Sequence, residues 1–160
     1  MTIELLFTLW QLGEILPEKI PNLATDLLKV GNESKSMIEL AGLVQPSRNE
    51  VDIAINKAIL ELKGDDLNRE KFPYFIAKAI VEKEITPDKG AYLIGLLSSE
   101  LKSSGLEKFE NLYMEYEQFE KDQLAAVENR EYPLNMINQF KNDVLSDIYK
   151  LANEYLLLQK

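Results

Sequence analysis

"SRNEVDIAINKAILELKG", residues 47–64, decides the class of fold. Ser47 and Glu50 stand in the Ser-x-x-Glu spacing of a capping box. There the serine hydroxyl accepts the N–H of the third helical residue and the glutamate reaches back to the serine N–H. Val51, Ile55, Ala58, Ile59 and Leu62 then recur at three- and four-residue steps, which puts them on one side of a helix, and Gly64 is a natural C-terminal stop. The stretch predicts a helix with one apolar side that needs a neighbour.

The same spacing continues in both directions, punctuated by glycine and proline. Before it, helices are predicted from about Thr2 to Gly13 (Leu5, Leu6, Leu9, Trp10, Leu12), from near Pro21 to Gly31, and after Ser34 as far as the residues before Pro46. After it, helices are predicted over Phe72–Glu84, from the Thr86-Pro87 start to about Ser103, from Gly105 to about Asn129, and from Leu134 to Leu158, with "REYPL" as the last turn. No stretch shows strict alternation, so the reading is all-α. It is a single domain over 1–160, a bundle or stack of about eight antiparallel helices joined by short turns.

Composition closes most catalytic routes. A chain of 160 residues that is 46% hydrophobic can bury a core without metals or disulfides. It has no cysteine and no histidine, which removes thiolate metal sites, thiol chemistry, the commonest general base and the commonest metal ligand. Isolated glycines form no phosphate-cradling loop, and no stretch matches an EF-hand. Asp65 and Asp66 in "KGDDLNRE" read as a polar turn. Ser34 and Ser36, flanking Lys35, read as helix caps rather than nucleophiles, since no base accompanies them. Trp10 lies in an apolar helix and reads as core, not as a sugar platform. Tyr132, Tyr149 and Tyr155 read as core fillers with wet hydroxyls. No cofactor and no metal site is expected.

The net charge of −9 repels phosphate backbones and anionic membranes and attracts a basic partner. The apolar start "IELLFTLWQL" has no preceding lysine or arginine and reads as a buried helix; no run reaches the roughly 20 apolar residues of a span. A soluble, cytoplasmic protein that binds neither nucleic acid nor membrane is expected.

Two segments, "ATDLLKVGNESKSMIELAGL" and "AKAIVEKEITPDKGAYLIGLL", each read as helix, polar turn and second apolar helix. Two copies are too few for a solenoid. The Gly-x-x-Ser turn with "ELAGL", followed by "IAKAIVEKEITPDKGAYLI", resembles small all-helical bacterial proteins of unassigned function, over roughly residues 22–95. The resemblance implies a bacterial, helical, single-domain protein and transfers no catalytic motif.

The functional reading falls on "GLEKFENLYMEYEQFEKD", residues 105–122. Phe109, Leu112, Tyr113, Tyr116 and Phe119 share one broad arc, the mark of a core-facing side. Glu110 and Glu117 share one flank of it, Glu115 and Asp122 lie opposite, and Glu117 with Lys121 makes an i,i+4 pair. From Leu106 to Glu131 eight acids face three bases, an excess of five out of the net nine. Glu120 alone falls inside the aromatic arc, as a satisfied rim carboxylate or a functional one.

The expectation is therefore a non-enzymatic binding protein, of the kind of a bacterial immunity or antitoxin-like inhibitor of a basic toxin domain. Its contacts would be Glu110, Glu115, Glu117, Glu120 and Asp122, with Tyr113 or Tyr116 as aromatic anchor. One alternative is a structural or adaptor module that self-associates through apolar helices, with the end "NEYLLLQK" as its face. Another is a metal-dependent hydrolase built on carboxylates alone.

Overall fold

The Ser47 hydroxyl accepts the Glu50 N–H at 3.3 Å while the Glu50 carboxylate accepts the Ser47 N–H at 2.8 Å, so both halves of the capping box form. The helix it starts ends at Gly64, whose φ of +71° lies in the left-handed region that costs other residues steric strain. The computed structural model describes residues 1–64, 67–103, 105–129 and 134–159. Asp65 and Asp66, and Arg130 to Pro133 of the "REYPL" turn with Tyr132 among them, lie outside the described residues.

The described residues form eight α-helices and no strand. They are α1 (Ile3–Gln11), α2 (Ile20–Lys29), α3 (Lys35–Ala41), α4 (Arg48–Lys63), α5 (Phe72–Val81), α6 (Pro87–Leu101), α7 (Glu107–Asn129) and α8 (Leu134–Leu158). The all-α reading and its helix count hold. Single 3₁₀ turns at Pro17–Lys19 and Arg69–Lys71 lead into α2 and α5. Sequence alone reads one domain, whereas backbone contacts gather into two compact units, Met1–Phe72 and Pro73–Lys160. No change of composition marks the division, which falls one residue inside α5.

In the first unit several polar pairs join helices at the edge of an apolar core. Trp10 is fully buried, as read, and its indole N–H donates to Asp52 Oδ1 at 2.6 Å. The Arg48 guanidinium lies 4.9 Å from the centre of the same ring. Lys63 bonds Glu4 at 2.6 Å, and the pairs Trp10–Asp52 and Glu4–Lys63 run α1 antiparallel to α4. Burial pushes the Glu4 carboxyl up, but the bonds from Lys63 and from the helix-start backbone outweigh it and hold its pKa below the ordinary value.

Ser34 caps α3 by accepting the Met37 N–H at 3.1 Å. Ser36 is no nucleophile in waiting either: its N–H and hydroxyl donate to the two oxygens of Glu61 on α4 at 2.9 and 2.8 Å. These bonds, the backbone one foremost, keep the Glu61 carboxyl below its ordinary pKa. Thr8 is the one buried polar side-chain atom among the described residues without a hydrogen-bond partner.

In the second unit α6 and α7 run antiparallel, with Tyr92 opposite Tyr113 and Ser98 opposite Glu110. The helices α7 and α8 do the same, with Phe109 opposite Tyr155 and Phe119 opposite Phe140. Ile76, Ile80, Leu93, Ile94, Leu97, Phe109 and Ile148 fill the interior. Gly90 lets α6 close on α5, since a Cβ there would lie 2.3 Å from Ile80 Cγ1.

Some boundaries differ from the sequence reading. The helix α5 stops at Val81, short of Glu84, because Lys83 takes a φ of +59°, and α6 stops at Leu101 with Lys102 at +48°. Glycine is the usual left-handed stop, so lysine in that role leaves no sign in the sequence. Thr86 has the extended backbone of a cap, yet its hydroxyl makes no capping bond; Pro87, at the first helical position, has no N–H and leaves the first turn one unpaired donor fewer. Tyr149, half-buried, donates its hydroxyl to the Val81 carbonyl at 3.4 Å. Tyr155 packs edge-on to Phe109, and burial raises its pKa.

Two substitutions test this packing by chemical denaturation. Thr8→Val replaces an unsatisfied hydroxyl with a methyl of the same shape and is expected to raise the unfolding free energy by about 1 kcal/mol. Gly90→Ala is expected to lower it by ~1–2 kcal/mol, because overpacking against Ile80 exceeds the helix propensity that alanine gains.

Candidate partner-binding face on helix α7

The start of α7 is set by charge and by one glycine. Gly105 has a φ of +100°, and its N–H donates to the Glu107 carboxylate at 2.8 Å. Glu107 and Glu110 occupy the first turn, where the helix dipole favours negative charge. Leu106 and Phe109 are fully buried and anchor this end.

Beyond Phe109 the aromatic arc does not sink into the core as a whole. Leu112, Tyr113, Tyr116 and Phe119 are all half-buried, because the arc straddles two neighbours and its rings lie along the seams. Tyr113 turns to α6 and meets Tyr92, ring centres 5.2 Å apart and tilted by 52°. Phe119 turns to α8 and stacks on Phe140 at 5.6 Å. Tyr116 lies between, with the Lys141 ammonium 5.3 Å from its ring centre.

The acids divide by what holds them. Glu110 is exposed and accepts the Ser98 hydroxyl at 2.7 Å; that hydroxyl also lies 2.8 Å from the Gly95 carbonyl. Glu117 is exposed and pairs with Lys121 at 3.1 Å, the i,i+4 pair read from the sequence. Glu115 is exposed, and half-buried Asp122 accepts the Gln118 amide at 2.9 Å. Glu110 and Glu117 flank α6, while Glu115 and Asp122 face away from it. The seven predicted contact residues therefore share a helix without forming one patch.

Glu120 receives its account from α8. Its carboxylate pairs with Lys141, which also donates to Gln123 at 2.8 Å, and it accepts the Tyr116 hydroxyl. The Lys141 bond is the main reason that the Glu120 pKa lies below its ordinary value. Burial, then the bond to Glu120 and the charge of Asp88, push the Tyr116 hydroxyl up to about 12. The carboxylate inside the aromatic arc is thus satisfied within the fold.

Sequence reasoning missed Lys141, Gln123, Tyr92, Gly95 and Ser98. Lys141 had a signal: counting outward from the α7–α8 turn places Glu120 and Lys141 at similar distances on antiparallel helices. The α6 residues had none, because the approach of α6 to α7 depends on tertiary packing. Between these helices lies a groove of about 280 Å³ lined by Tyr92, Gly95, Leu96, Glu110, Tyr113 and Met114. Among the described residues no group of three or more acids gathers as a metal-ligand set, and no helix is long and apolar enough to cross a membrane. No family model matches the chain, and neither the curated proteins nor the solved structures contain a significant match.

The Tyr116–Glu120–Lys141 network has a signature in titration. Glu120, with a lowered pKa, contributes stability that is present above 4.5 and lost as pH falls through its folded value. Tyr116, with a raised pKa, contributes stability that is present below 10 and lost as pH climbs towards about 12. Lys141→Met is expected to move the Glu120 carboxylate titration upward in NMR spectra; an unmoved titration would refute the pairing.

Proposed function

We propose that this chain is a non-enzymatic binding protein whose α7 surface docks a basic protein partner, in the manner of an immunity protein neutralising a toxin domain. The observation that carries it is the exposure of Glu110, Glu115 and Glu117 on one helix, with Lys121 the neighbouring counter-charge of Glu117. In a chain of net charge −9, such a surface speeds encounter with a cationic protein and can mask a nucleic-acid groove. The absence of histidine and cysteine from the sequence supports a binding role over hydrolysis. A cytoplasmic site of action and a bacterial source belong to the same proposal.

One observation favours a second reading, self-association: Leu157 and Leu158 at the end of α8 are 65% and 83% exposed. Light scattering separates the two, since a free inhibitor has the monomer mass of 18.3 kDa. The main reading is tested by affinity capture from the native cell, with gene order naming the toxin candidate. Against the captured partner, the triple variant Glu110→Lys, Glu117→Lys, Asp122→Lys is expected to slow association about tenfold or more at low salt. An unchanged rate would sink the assignment of this face.

A further inference from the structure

The groove between α6 and α7 has an unusual combination of walls. Leu96 and Met114 present apolar surface and are 44% and 60% exposed, so the groove is open to a partner. Tyr92 and Tyr113 supply ring surface, and Glu110 is the one charged residue on the lining. No cation lines it, and the Lys89 ammonium sits 5.2 Å from the Tyr92 ring centre.

Glu110 is held in place by contacts with α6. A Cβ on Gly95 would lie 3.3 Å from both Cα and Cβ of Glu110, so the two helices approach closely at the root of this carboxylate. The Ser98 hydroxyl fixes one carboxylate oxygen, Oε2, and among the described residues the other has no hydrogen-bond donor. Burial is the main reason that the Tyr113 pKa is raised; Glu117, Tyr92 and Asp88 raise it further and Lys121 opposes them.

An apolar channel, an aromatic face and one fixed carboxylate match a side chain with a methylene stem and a cationic head. Arginine fits better than lysine, since its guanidinium is planar, weakly hydrated, stacks on rings and pairs with carboxylates through two N–H groups. We propose that the α6–α7 groove is the seat of an arginine side chain from the partner, with its stem along Leu96 and Met114 and its guanidinium between Tyr113 and Glu110. This rests on the basic-partner reading and names the residue type that the partner inserts.

The test is an NMR titration of the whole chain with the capped peptide Gly-Ser-Arg-Ser-Gly and with its citrulline counterpart, which keeps the stem and planar head but loses the charge. The arginine peptide is expected to shift the amides of Gly95, Leu96, Tyr113 and Met114, and citrulline to bind at least fivefold more weakly. Glu110→Gln, which keeps an oxygen for Ser98, is expected to weaken binding about tenfold, while Glu39→Gln on α3, an exposed acid outside the α7 face, leaves it unchanged. Equal binding of the citrulline peptide, or an unaffected Glu110→Gln variant, overturns the groove as an arginine seat. Shifts confined to residues around Glu115 and Asp122 overturn the groove but leave the acidic-face reading standing. A peptide that binds nowhere also overturns the groove, and the acidic face is then judged by the charge-reversal rates alone.

Discussion

The close approach of α7 to α6 at Gly95 is the constraint on which the second unit's surface depends. With a side chain there, the helices could not meet at Glu110 without one of them giving way. With hydrogen in its place, Ser98 reaches the Glu110 carboxylate and Tyr92 meets Tyr113 one helical turn further on. The groove lined by Leu96 and Met114 lies beside that contact. A single missing methyl thus eases the approach of the two helices beside the ring pair and the seat of one charge.

The opposite flank of α7 follows a different rule. There α8 brings Phe140 onto Phe119 and Lys141 onto Glu120, so an acid in an aromatic seam gains a cation and a phenol as partners. Removing the Lys141 ammonium from water is unfavourable unless its N–H groups are satisfied, and it donates to both Glu120 and Gln123. The first unit solves the same problem at helix starts and ends. Glu61 serves the first turn of α3, and Asp52 serves the indole of Trp10.

Helix existence was legible because period, caps and stops agree. Ser47 with Glu50, Ser34, Gly64 and the prolines each mark a boundary through local backbone chemistry that a few adjacent residues determine. The exceptions are stops made by residues that rarely make them, such as the left-handed lysines that end α5 and α6. The site was legible in outline only. The exposed acids of α7 followed from the wheel of one helix, but the half-buried state of Tyr113 and Tyr116 did not, since it depends on where two other helices lie.

By itself the sequence determined the all-helical class, most helix limits, the acidity of residues 105–122 and the absence of thiol and imidazole chemistry. These are properties of composition and of neighbours within a turn or two. Only the tertiary structure decided that Glu120 is spoken for by Lys141, that Ser36 is bound by Glu61, and that Glu110 stands on the wall of a groove. Each of these joins residues on different helices, and the register between helices is set by side-chain volume and close approach, which no periodicity records.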